Sequence, residues 1–159
     1  MDTIIQPLSV DIGFGDIVIP HVNELDYPLL LPDLPIPRIL AYSPETVIAE
    51  KFQAMIELSE TNSRMKDFYD VYRMFKKGDI DSKNLELAIN ATFDRRFTRY
   101  SEDHPIFTDD FAKSETKQVQ WKAFLKKINS KDGATERFED VAGYIMKELY
   151  PYWLNRKEE

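Results

Sequence analysis

The stretch from Ala41 to Phe75 constrains the chain most, because two apolar stripes recur there at helical spacing on either side of a polar break. Ser43-Pro44 reads as a helix start: the hydroxyl can cap free N–H groups, and the fixed φ of proline suits the first helical position. Val47, Ile48, Phe52, Met55 and Ile56 then share one broad face. Lys51 stands one turn after Val47 and one turn before Met55, so its stem runs along the margin of that face. Its ammonium must reach water or meet an anion. The run Ser59 to Ser63 breaks the pattern, and a second helix is expected to start near Asn62 or Ser63. Phe68, Val71, Tyr72 and Phe75 form its stripe, and Lys76, Lys77 and Gly78 suit its end. Asp67 and Asp70 lie three apart on one side of its first turns. An ordinary ion pair between Lys51 and either acid accounts for these charges without any chemistry, and Glu50 and Glu57 are further neighbours.

The rest of the chain is organised around this pair. Leu8–Ile12 and Asp16–Pro20 read as two short strands about Gly13-Phe14-Gly15. Asp11 in mid-strand is either a solvent residue near the turn or a ligand facing a cleft, while Gly15-Asp16 reads as turn chemistry. From His21 to Pro37 the repeated X-Pro units rule out a helix. Short edge strands are expected at Leu29–Leu31 and Ile36–Ala41, and His21 reads as a surface residue.

Further helices are expected from Asp79 to Phe93, capped by Asp81 or Ser82, from about Lys113 to Asn129, and from about Thr135 to Tyr150. Thr98–Thr108 reads as a polar loop, and Tyr152, Trp153 and Leu154 as an aromatic end packed after the last helix. Arg95 and Arg96 close the third helix, where they either complement its dipole or contact phosphate. On the fourth, Val119, Trp121, Phe124, Leu125 and Ile128 alternate with Lys122, Lys126 and Lys127. Those lysines form a solvated face or a nucleic-acid contact.

These elements make an α+β fold, with short N-terminal strands followed by a bundle of about five helices. With 159 residues, 43% of them hydrophobic and 13% aromatic, the chain can bury a real core. A net charge of −7 weighs against a protein that coats nucleic acid generally. Without cysteine there is no disulfide framework and no thiolate metal site, which suits the cytoplasm. No apolar run approaches membrane-spanning length, so no membrane partner is expected.

The ordered set Ala49-Glu50-Lys51, then Ser63-Arg64-Met65-Lys66-Asp67-Phe68-Tyr69-Asp70, resembles the AbiEii/AbiGii nucleotidyltransferase toxins of the DNA polymerase β-like superfamily. Val10–Asp16 (VDIGFGD) and Ala91–Arg96 (ATFDRR) are similar to flanking stretches of that family, so the likeness spans about Val10 to Arg96. It implies a bacterial toxin–antitoxin protein of the abortive-infection, phage-defence kind. Such a protein transfers a nucleoside monophosphate from a triphosphate to RNA, tRNA in parts of the family, with Mg²⁺, and is held in check by a cognate antitoxin. Lys51 matches the lysine that neutralises phosphate or base, Asp67 the later acid, with Asp70 close behind. Arg64 and Lys66 become helpers, Arg95 and Arg96 phosphate contacts, and Asp11 a third carboxylate for the metal.

Nothing before Asp11 resembles the family's glycine turn and D-x-D pair. The chain is therefore expected to be the C-terminal part of such a protein, with 1–42 a β-rich remnant of the catalytic domain and 43–159 the helical domain. It is also expected to be inactive alone and to expose apolar surface on the strand side, and so to form a homodimer. A helical protein-interaction module presenting Tyr72, Trp121 or Tyr152 is the alternative.

Overall fold

The computed structural model describes residues 7, 15–29, 31, 33–128 and 137–158. Among the described residues two short antiparallel strands precede six α-helices, as expected of an α+β chain. Strand β1 (Asn23–Asp26) pairs with β2 (Arg38–Ala41) in a register that sets Leu25 opposite Ile39. The helices are α1 (Pro44–Leu58), α2 (Met65–Lys77), α3 (Ser82–Arg95), α4 (Asp109–Lys113), α5 (Glu115–Lys127) and α6 (Phe138–Asn155).

The helix starts obey local chemistry. The Ser43 hydroxyl accepts from the Thr46 N–H at 3.1 Å, and Asp81 accepts from the Asn84 N–H at 2.8 Å. Gly78 closes α2 at φ 83°, a left-handed conformation that suits glycine. Helix α2 begins at Met65, later than expected, because Ser59–Thr61 forms a 3₁₀ turn first.

Several expected elements differ. Asp16–Pro20 is not a strand: the Ile19 N–H donates to the Thr46 hydroxyl at 3.0 Å, and the Ile19 carbonyl accepts from the Ser43 and Thr46 hydroxyls. The start of α1 thus takes the backbone groups that a sheet neighbour would need. Leu29 and Leu31 are not in a strand either, and the partner of β2 is instead Asn23–Asp26. That segment has weak strand propensity and is held by the ladder, with Arg38 beside Glu24 and Asp26. The proposed strand at Leu8–Ile12 and the first residues of the last expected helix lie outside the described residues.

Helix α4 was not expected. Thr108 caps it through the Phe111 N–H, and Ser114 ends it while capping α5. Helix α6 runs through Pro151 to Asn155 instead of stopping at Tyr150. Pro151 is exposed, and continuing the helix one more turn buries Trp153 completely and lets its indole N–H donate to the Ser101 carbonyl at 3.1 Å.

The core is aromatic and gathers on α6. Phe52 of α1 meets Phe93 of α3 with ring centres 5.1 Å apart, and both contact Trp153. Toward the other end of α6, Phe68 of α2 stacks edge-on against Phe138 at 5.1 Å and lies 6.1 Å from Phe111. Rings of this size each bury enough area to fix helix positions. The stripe proposed for α5 holds at Trp121 but not at Val119, which points out to solvent. Apolar surface is indeed exposed on the strand side, at Leu25, Tyr27, Leu31, Leu34, Ile36 and Leu40.

Candidate functional site

The triplet Ala49-Glu50-Lys51 divides its work around α1. Ala49 is fully buried and lacks bulk. Glu50 turns to α3 and Lys51 to α2, as two residues about 100° apart on a helix must. Phe52, on the core side, locks the rotation of α1, and Phe68 does the same for α2. Each helix therefore presents its charges at a fixed angle.

The Lys51 ammonium lies 2.5 Å from Asp67 Oδ1 and 2.9 Å from Asp70 Oδ2. These side chains are only 19%, 16% and 19% exposed, so the trio is more protected from water than a surface ion pair. Burial pulls the Lys51 pKa down, but the hydrogen bonds and charges of Asp67 and Asp70 outweigh it, and the net direction is up. Lys51 is thus a fixed cation and cannot serve as a base near neutral pH. Lys66, one turn before Asp70, donates to the same Asp70 oxygen at 2.6 Å and is itself exposed. Arg64 stands at the N-cap of α2, also exposed. The structure thus brings Lys51, Asp67, Asp70 and Lys66 together, with Arg64 on the rim.

The two arginines of α3 belong to a second cluster. Arg96 holds Glu50 by an ion pair and donates to Gln53 Oε1 at 3.1 Å, and Gln53 in turn donates to the Thr98 hydroxyl. Thr92 donates to the other Glu50 oxygen at 3.2 Å. Arg95 lies 3.0 Å from Asp16 Oδ1, and Asp16 also accepts from the Tyr42 hydroxyl at 3.0 Å. That hydrogen bond, with burial and the Asp16 charge, pushes the Tyr42 pKa up. Gly15, at φ 78°, leaves room for the arginine: a Cβ there would stand 2.8 Å from Arg95 Nη2. Asp16 is therefore more than a turn residue, and both arginines are engaged with acids of this chain.

Sequence reasoning missed Lys117. It is 4% exposed, and its ammonium donates to the Glu60 carbonyl at 2.7 Å and to the Asn62 carbonyl. Its helical spacing to Trp121 and Phe124 was the available signal. By tying the α1–α2 turn to α5, Lys117 fixes where α2 begins and hence where Asp67 and Asp70 stand.

Tyr72 and Trp121 are buried, which removes them from the docking surface proposed for an interaction module, while Tyr152 is half-buried. Among the described residues no group of three histidines or acids could hold a metal ion. Asp67 and Asp70 both face the Lys51 ammonium, which opposes a divalent cation there. These residues do not fit Mg²⁺, and Asp11 lies outside the described residues. No helix among the described residues is long and apolar enough to cross a membrane.

No curated protein and no solved structure gives a match to the chain. The sequence model of the nucleotidyl transferase AbiEii toxins, of type IV toxin–antitoxin systems, matches residues 1–143. That span takes in both helices of the lysine–acid cluster and the α3 arginines. With its AEK triplet and paired acids set face to face, this chain belongs to the AbiEii nucleotidyltransferase toxin family.

Proposed function

We propose that the chain contributes the lysine-and-acid part of a site that transfers a nucleoside monophosphate to RNA, in the cytoplasm of a bacterium defending itself against phage, under the control of a cognate antitoxin. The observation that carries this reading is the contact of Lys51 with both Asp67 and Asp70 at low exposure. A lysine whose charge is fixed suits the neutralisation of a phosphate group. The Lys51 hydrogen bond engages Oδ1 of Asp67, and the same carboxylate borders an open groove. Asp67 is then the group to receive a hydrogen bond, or the proton, from an acceptor hydroxyl. Arg64 and Lys66 add positive charge on the same rim. Arg95 and Arg96 act by orienting Asp16 and Glu50, and reach phosphate only if those pairs open.

Mg²⁺ is implied by the family, but the Lys51–Asp67–Asp70 group, with an ammonium between its acids, does not suit it as a ligand set. We also expect the chain alone to transfer negligibly with Mg²⁺ and nucleotide, because its sequence shows neither the family's glycine turn nor its D-x-D pair. Robust labelling of an RNA acceptor by the purified chain would overturn that expectation. The exposed apolar residues of β1, β2 and their connection favour self-association, which sedimentation would read.

Amide shift mapping with a nucleoside triphosphate tests the site itself. Shifts centred on residues around Lys51 and Asp67, lost in Lys51→Met, are the expected result. Shifts confined to other faces, or none at millimolar nucleotide, would overturn the assignment.

A further inference from the structure

The N-terminal turn of α2 and the facing side of α5 enclose an open groove of about 600 Å³. Arg64 and Lys66 stand on one wall and Lys127 on the other, with the half-buried ring of Phe124 between them. At one end the groove reaches Asp67, whose carboxylate holds Lys51. Among the described residues neither Arg64 nor Lys127 forms an ion pair, although acids outnumber basic residues in the chain as a whole by 28 to 21. Lys122 and Lys126 are exposed on the same helix as Lys127. Phe124 is braced from behind by Tyr69, with ring centres 5.6 Å apart, so its position is set before any ligand arrives. Gln120, also on the α5 wall, keeps a buried amide oxygen that meets no donor among the described residues.

Each feature selects against a different competitor. Cations on both walls, without an ion pair among the described residues, favour a polyanion. An aromatic floor offers stacking to a base, which a duplex keeps inside its own stack. The volume falls in the range of clefts that take a single small ligand, which suits one or two unpaired nucleotides. An acidic peptide would satisfy the cations but leave the ring without a role.

We infer that this groove binds the unpaired terminal nucleotides of an RNA and leads its end hydroxyl toward Asp67. The inference rests on the proposed transfer to RNA and adds the surface on which the acceptor lies. Phosphates lie against Arg64 and Lys127, and a base lies on Phe124. Lys66 is shared with Asp70 and contributes less.

Fluorescence anisotropy with a labelled single-stranded oligoribonucleotide, and with a blunt duplex of the same length, tests it on the full chain. The single strand should bind more tightly than the duplex. Arg64→Ala with Lys127→Ala should weaken single-strand binding about tenfold or more and flatten its salt dependence by about 1.4 in the log–log slope, the share of two phosphate contacts. Phe124→Leu should also weaken it, at unchanged slope. Both substituted cations are exposed, so circular dichroism should show an unchanged fold. Lys51→Met should lose the triphosphate shifts, while the single strand still binds more tightly than the duplex. Equal binding of duplex and single strand, or an Arg64/Lys127 variant that binds as the parent does, would overturn the groove. A Lys51→Met variant that keeps its nucleotide shifts would instead overturn the site and leave the groove standing.

Discussion

Replacing Lys51 with methionine is the most direct test of the cluster's energetics. Methionine keeps a flexible apolar stem along the margin of α1 and removes only the ammonium. Asp67 and Asp70 are then left close together with one exposed cation, Lys66, as partner. Fully exposed pairs contribute about 0–1 kcal/mol, whereas breaking a fully buried pair costs about 3–5 kcal/mol. With the three side chains under one-fifth exposed, the cost should fall between these limits, at about 2 kcal/mol. Urea unfolding reads this as a midpoint lowered by about 1 M, taking a slope of about 2 kcal/mol/M. Adding Asp67→Asn and Asp70→Asn to Lys51→Met removes the stranded charges and should recover most of the loss, because the penalty lies in unpaired carboxylates.

The pH dependence has a defined sign. The folded Lys51 pKa is raised above its ordinary value of 10.5, so its contribution is complete below that pH and fades as pH climbs through the higher folded value. Lys51→Met should therefore lose its disadvantage only in strong alkali. A methionine variant within about 0.5 kcal/mol of the parent at neutral pH, the size of an ordinary surface change, would refute the claim that these charges are held out of water. So would a triple variant that recovers nothing.

Three further outcomes follow from the packing. Phe68→Ala should cost about 3–5 kcal/mol in urea unfolding, since the ring is fully buried between Phe111 and Phe138. Ser43→Ala should cost about 1–2 kcal/mol, because the same hydroxyl caps α1 and donates to the Ile19 carbonyl, and exchange of the Ile19 and Thr46 amides should quicken. Lys117 behaves oppositely to Lys51: burial lowers its pKa below 10.5, so the unfolded chain holds more protons just under that pH and stability should rise with pH there. Lys117→Met should abolish that rise, which stability curves between pH 8 and about pH 10 would show.

The parts of this fold legible in the sequence are those that local chemistry decides. Ser43-Pro44, Asp81 and Gly78 punctuate the helices where their side chains or backbone freedom require. The 3.6-residue spacing put Phe52 and Phe68 inside and so fixed Lys51, Asp67 and Asp70 on facing flanks. What was illegible depends on partners distant in sequence. Nothing local tells that Ile19 will give its backbone groups to two hydroxyls 24 and 27 residues away, or that Asn23–Asp26 will pair with Arg38–Ala41. Pro151 misleads for a similar reason: its propensity says stop, and the burial of Trp153 two residues later overrides it. Lys117 hid because a lysine at core spacing is ordinarily dismissed, and only the two carbonyls of the α1–α2 turn make sense of it.

The charge count at the site explains how one helix can serve two clusters. On the α2 side, Lys51 and Lys66 balance Asp67 and Asp70, two positive against two negative. On the α3 side, Arg96 and Arg95 face Glu50 and Asp16, again two against two. Among the described residues each cluster is locally neutral, so neither repels the other across α1. A triphosphate that engages Lys51 must therefore exchange a carboxylate for a phosphate on the ammonium, which leaves Asp67 or Asp70 with less of its partner. An acid loosened in this way becomes a better hydrogen-bond acceptor at the moment nucleotide arrives. On the proposed function, binding of the nucleotide and readiness of Asp67 for the acceptor hydroxyl are coupled through one ammonium, and a Lys51→Arg variant tests the coupling. The planar guanidinium can hold a carboxylate with two parallel hydrogen bonds and should release it less readily. Nucleotide affinity should fall in Lys51→Arg although the charge is kept; affinity equal to the parent's would show that charge alone matters and that no exchange takes place.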